Sequence, residues 1–287
     1  MHPQGASKSF PSENLNWLDS GSCSGLSHLA TEDSTAQVHP QRYSEALFAE
    51  SVKRGAKFVC GNVVDFHRLV SDPNDPLLGI CGVTLVDSHG LQNCVEGDVI
   101  VVAMGCWSGV LLDSLLRGGA MSEPVISAIR ATSIVLQPSG EVPNVALFTD
   151  WYTPGDDCSF DPEVYPRPDG TIYICAKADP VEIPSGGVRE VVADPCTVHR
   201  MQIYASQLSP LLMDAPMLQS QACLLPTTID DTPIIGELIP GKVLVATGHS
   251  CWGVLNAPAT GEAIAQLIHD GRSDVNLDSF DPKRFLC

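Results

Sequence analysis

A mixed α/β fold, with a parallel layer and a separate antiparallel sheet, is what this sequence predicts, and three stretches carry the prediction. Near the end, Val243 to Thr247 is a short apolar, β-branched run. A glycine-bracketed turn follows it, and then apolar residues at helical spacing: Leu255, Ala259, Ala263 and Leu267. Earlier, Asp98 to Gly105 is a continuous apolar run ending in glycine, as expected of a strand buried on both faces of a parallel sheet. Between Pro124 and Leu225 short β-rich runs succeed one another without βα alternation, which predicts an antiparallel sheet beside the parallel layer.

Composition narrows the partners. The chain has 287 residues, 44% of them hydrophobic and 17% charged, enough to bury a sizeable core. A formal net charge of −18 disfavours a nucleic-acid partner, because phosphate binding needs a basic face, and points instead to a small-molecule substrate. No apolar run approaches the ~18 residues of a membrane span. Eleven cysteines contain no CxxC pair, and eight histidines form no HxxxH or HExxH pattern, so no metal site is expected. An odd number of scattered cysteines reads as reduced thiols, hence a cytoplasmic location or another reducing intracellular compartment.

Taken in order, residues 1 to 34 show no periodicity and read as poorly ordered, with Gly21 and Gly25 in a flexible turn. Pro40 suits a first helical turn. Gln41 to Arg54 then reads as a helix with Tyr43, Leu47 and Val52 inward and Gly55 as its stop. Lys57–Cys60 and Val63–Phe66 read as strands. Leu77 to Asp87 pairs across Ser88-His89-Gly90 as a hairpin. After the strand ending at Gly105 come Cys106-Trp107-Ser108 and a helix through Leu116. Strands at Arg130–Leu136, Val145–Thr149 and Val164–Cys175 follow, the last broken by the turn Arg167-Pro168-Asp169-Gly170. A helix around Cys196–Leu208 packs on that sheet.

The turn before the last helix, Gly248-His249-Ser250-Cys251-Trp252-Gly253, points to chemistry. It leaves the first N–H groups of the helix unpaired with the positive end of the dipole behind them, a ready site for an anion. Together with Val254-Leu-Asn-Ala-Pro258-Ala-Thr-Gly261 this turn closely resembles the carboxy-terminal flavin-binding segment of FAD-dependent oxidoreductases related to glycine oxidase and D-amino-acid oxidase. The words His39-Pro40 to Phe66, Gly105-Cys-Trp-Ser108, Tyr165-Pro-Arg-Pro-Asp-Gly170 and Gln221 to Gly236 match that family in the same order, covering residues 36 to 270. The nearest resemblance is to a eukaryotic branch of oxidoreductases rather than to a defined amino-acid oxidase.

The resemblance implies FAD as cofactor and an incomplete FAD-binding Rossmann-like layer joined to an antiparallel-sheet substrate domain. Its boundaries would be 35–120 and 221–287 for the layer and 121–220 for the substrate domain. Family positions assign Val63 to the adenine and Gly105, Trp107 and Ser108 to a turn near the cofactor, where the alternative for Trp107 is to cap a core. They set Gly248, His249, Ser250, Cys251, Trp252, Gly253 and Val254 against the pyrimidine edge of the flavin, whose gain of negative charge on reduction the helix start would stabilise. His249 would bias the reduced flavin or serve as a structural histidine.

Departures from the family are as informative. In glycine oxidases a tyrosine at the position of Glu163 and an arginine in the segment of Leu225 hold the substrate carboxylate. A carboxylate beside Glu163 and Leu225 would be repelled and unpaired, so a simple amino acid anchored in that way is not expected as substrate. Arg130 and Arg167 are candidates for a replacement charge, with Arg167 expected in an exposed turn. Cys223 matches a position of covalent flavin attachment in monomeric sarcosine oxidases, although a buried packing role is the commoner use of such a residue. The GxGxxG loop that cradles the pyrophosphate is absent. The expectation is therefore a truncated form of an oxidoreductase, the alternative being a non-catalytic fragment that binds a protein partner through an exposed sheet edge.

Overall fold

A computed structural model describes residues 14–23, 25–31, 33–70, 79–116, 124–152 and 160–286. The chain divides into two compact units, one comprising Met1–Val38, Arg130–Asp179 and Val191–Cys223, the other His39–Ile129, Pro180–Glu190 and Leu224–Cys287.

The second unit opens with α1 (Pro40–Lys53), which starts at a proline and stops before Gly55, whose φ of 103° suits glycine. Three antiparallel strands follow, β1 (Asn62–Arg68), β2 (Ile80–Val86) and β3 (Gln92–Glu96), with the expected β2–β3 hairpin in place. Leu77 and Leu78 lie outside the described residues. Next come β4 (Ile100–Val102), a 3-10 turn over Gly105–Ser108 and α2 (Gly109–Leu116).

The first unit is built on a five-stranded sheet. The sheet contains β5 (Ile126–Leu136), β6 (Leu147–Phe148), β7 (Glu163–Pro166), β8 (Ile172–Val181) and β9 (Met217–Thr228), in the order β6-β7-β8-β5-β9, although residues 126–129, 180–181 and 224–228 at the strand ends count with the second unit. β7 and β8 are antiparallel around the Arg167–Gly170 turn, as expected. Alternation places Val164, Ile172, Ile174 and Ala176 in the core, where α3 (Pro195–Leu208) covers them with Met201, Tyr204, Ala205 and Leu208. α3 begins well because the Asp194 carboxylate accepts from the Thr197 backbone N–H at 2.7 Å and its hydroxyl at 2.8 Å. Trp17 is 4% exposed in this core, and the Ser209 hydroxyl donates to its carbonyl. Part of the amino-terminal stretch read as poorly ordered thus contributes a core side chain.

The chain completes the second unit with β10 (Ile234–Ile239), β11 (Val243–Thr247) and α4 (Gly253–Asp270). β11 pairs antiparallel with β10 and parallel with β4, giving the order β10-β11-β4. Phe66, Val102, Leu112, Ile234, Val243 and Val245 share one core, while Ile235, Leu244 and Ile264 form another on the α4 side.

Four sequence readings need correction. α1 buries no residue, and Leu47 is 54% exposed, so its apolar stripe is not covered within its unit. Lys57–Cys60 is not a strand; Phe58 meets Phe48 of α1 edge to face at 5.4 Å. β4 is short and stands at the edge of its sheet, with Val101 40% exposed rather than buried on both faces. The inward stripe of α4 is Thr260, Ala263 and Ile264 with Leu267 half-buried, whereas Leu255 and Ala259 are exposed.

Candidate flavin-binding turn and substrate-facing sheet

Two glycine turns stand at the carboxyl ends of the adjacent parallel strands β11 and β4, where ligands of open α/β sheets bind. After Thr247, the chain reverses at Gly248 with φ 82°, and a Cβ there would meet Thr228 Cγ2 at 2.6 Å, so only glycine fits. Ser250 also has a positive φ, 50°, a strained value for a non-glycine residue. A 3-10 turn over Ser250–Trp252 then leads into α4. After β4 the chain turns at Gly105, φ 55°. The Thr247 hydroxyl donates to the Gly105 carbonyl at 2.9 Å, tying the two turns together.

The start of α4 is chemically open. No side chain caps it, its first turn holds no acidic residue, and Trp252 and Leu255 are 60% and 70% exposed. Cys251 and Val254 are exposed beside them. An 18-residue helix thus presents its positive end with no carboxylate of its own to neutralise it. These are the properties an electron-rich ring needs, so the residues from Gly248 to Val254 fit a flavin.

The other expected site residues are placed as follows. His249 Nε2 lies 3.0 Å from the Thr260 hydroxyl, which joins the turn to the buried stripe of α4, and burial holds its imidazole below the usual histidine range. The structural reading of His249 is the one its contacts carry. Trp107 is half-buried and donates its indole N–H to the Pro184 carbonyl at 2.9 Å, fastening the 180–190 segment rather than capping a core. Ser108 is fully buried, and its hydroxyl accepts from the Met104 N–H at 3.1 Å, so its side chain serves its own turn. Val63 sits half-buried beside a bulge in β1 and packs on the core that also holds Val102 and Val245.

On the first unit, Glu163 lies on the face of β7 turned away from the core. Its Oε2 accepts from the Tyr165 hydroxyl at 2.6 Å and from the Cys175 thiol at 3.6 Å. Burial, then hydrogen bonding and charge from Glu163, push the Tyr165 hydroxyl up; burial and the Glu163 charge push the Cys175 thiol up to about 12. Leu225 belongs to the second unit, where it is half-buried on β9. Arg130 pairs with Asp194 at 3.4 Å, and Arg167, half-buried rather than exposed, stacks over the Tyr173 ring at 4.8 Å. Cys223 is exposed on β9 rather than buried.

Residue reading alone did not single out Thr247, Thr260, Tyr165, Tyr173 or Cys175. Alternation along β7 and β8 was the signal available for the last three, since they occupy the odd positions opposite the apolar even ones.

A mixed sheet with one parallel strand pair, an uncapped helix start at its strand ends and antiparallel sheets define a mixed α/β protein. Residues 10–267 match the DAO family, FAD dependent oxidoreductase, and the chain belongs to that family. It is 30% identical to TDA3 of Saccharomyces cerevisiae over 95% of this chain and 55% of that protein. It is also 25% identical to a glycine oxidase of Bacillus licheniformis over 78% of this chain and 53% of that one. Among solved structures, L-proline dehydrogenase from P. horikoshii shares the fold with a TM-score of 0.63 at 18% identity, over 96% of this chain and 66% of that chain. Glycine oxidase from Geobacillus kaustophilus does so with a TM-score of 0.60 at 20% identity, over 84% and 57%. The chain thus spans a little over half the length of several of these relatives, and among the described residues no helix is long and apolar enough to cross a membrane.

Proposed function

We propose that this chain carries the flavin-edge and substrate-facing parts of an oxidase for a small amine, with molecular oxygen as final acceptor. The observation that carries the proposal is the uncapped, exposed start of α4, tied through Thr247 to the Gly105 turn. FAD, when bound, would supply the two-electron redox chemistry, as the acceptor of the hydride lost from the carbon beside the substrate nitrogen and the donor to molecular oxygen, while the proton lost from nitrogen completes hydrogen peroxide.

The protein's own contribution is orientation and electrostatics. Gly248 lets the backbone approach without a side chain, the first turn of α4 offers N–H groups and its dipole, and Gly105 opens the neighbouring strand end. Val63 offers backbone groups beside the β1 bulge for the adenine. His249, held neutral and bonded to Thr260, keeps the turn in shape without adding positive charge. By resemblance, Glu163 and Leu225 match positions where glycine oxidases carry a tyrosine and an arginine, and neither side chain can pair with a substrate carboxylate.

Purification with added FAD tests this: stoichiometric yellow protein supports the oxidase, and colourless, soluble protein supports a second reading. That reading is a chain that acts by binding a protein partner, favoured by the uncovered apolar stripe of α1 and the exposed Val101 on edge strand β4. We also place the protein in a reducing compartment, on the scatter of its cysteines; thiol labelling in fresh cell extract should find them unoxidised.

A further inference from the structure

The face of the antiparallel sheet around Glu163 has the make-up of a cation site. Strand register sets Phe148 on one side of Glu163 and Cys175 on the other, while Tyr165, two residues along β7, pairs with Tyr173. Phe148 and Tyr165 meet edge to face with centroids 5.9 Å apart, and Tyr165 and Tyr173 are 6.1 Å apart. A half-buried carboxylate is thus framed by aromatic rings, the combination that recognises alkylammonium groups.

Hydrogen bonding leaves that carboxylate half used. Both donors, Tyr165 and Cys175, address Oε2; among the residues whose side chains are described, nothing donates to Oε1 and no ion pair includes Glu163. Arg167, just past the end of β7, stacks over the Tyr173 ring. A partly desolvated carboxylate without a counter-cation is unfavourable unless a ligand supplies the charge.

We propose that Glu163, framed by Phe148, Tyr165 and Tyr173, binds an alkylammonium group, so that the molecule handled here is recognised by a cationic nitrogen rather than by a carboxylate. The word substrate rests on the oxidase reading above. The ammonium site itself stands on residues of the first unit alone.

Calorimetric titration of the full chain with 1,4-diaminobutane, in the presence and absence of FAD, tests it. The expected result is saturable binding that 1,4-butanediol does not reproduce, weakened at least 10-fold by Glu163→Gln. Binding that Glu163→Gln leaves unchanged, no binding at all, or succinate binding more tightly than the diamine overturns the proposal. Should Glu163→Gln fail to fold, the wild-type comparison of diamine with diol decides alone. A colourless protein that binds the diamine rejects the oxidase and keeps this site, whereas a yellow protein that ignores the diamine does the reverse.

Discussion

α1 and α3 are both 14 residues long, and both begin at a proline, yet α3 buries four side chains and α1 buries none. α3 also has an aspartate whose carboxylate caps its first turn; α1 has His39, whose side chain makes no cap. Equal length and the same opening proline therefore accompany unequal capping and unequal tertiary support. Packing, not propensity, carries most helix stability, so the antiparallel unit is expected to hold its helix firmly while α1 depends on its own backbone.

The contrast breaks most directly at the buried face. Met201→Ala in α3 should cost about 2–5 kcal/mol in denaturant unfolding, whereas Leu47→Ala in α1 should change stability by about 0.5 kcal/mol or less. Equal losses would mean that something covers α1 in solution. The turn of the second unit is the next test. Gly248→Val forces a positive φ and a clash with Thr228, and should destabilise by roughly 1–3 kcal/mol while lowering flavin content at least 10-fold after purification with FAD.

Capping gives the smaller effects. Asp194→Ala should cost about 1 kcal/mol at neutral pH. Hydrogen bonds from Thr197 hold the Asp194 carboxyl below the usual range, so its contribution is complete above the unfolded-state value of about 4 and disappears as pH falls through the lowered folded value. The gap between wild type and variant should therefore narrow in melts run below pH 4. Least of all, His39→Asp should gain about 0.5 kcal/mol by giving α1 a cap, visible as a small rise in helix content.

Local chemistry made much of this fold legible. The Arg167–Gly170 turn, the β2–β3 hairpin, α2, α3 and the β11–turn–α4 unit all lie where turn residues and apolar spacing put them. What escaped depends on neighbours that spacing does not identify. The apolar stripe of α1 says nothing of whether a layer lies over it, and the first turns of α4 project Leu255 outward because its packing on the sheet begins only at Thr260. Trp17 anchors its segment as a single side chain, which leaves no periodicity to read. At the candidate site the glycines were legible as glycines, but the Thr247–Gly105 and His249–Thr260 links, and the juxtaposition of Glu163, Tyr165 and Cys175, follow from register and tertiary approach.

The hydrogen bond from Thr247 to Gly105 closes a loop 142 residues apart in sequence. During synthesis at ~5–20 residues per second, the ribosome finishes β4 on the order of ten seconds before the strand that must lie alongside it exists. Through that interval the run Val99-Ile100-Val101-Val102 has no β11 to pair with, so this layer closes only after the carboxy-terminal strand is made.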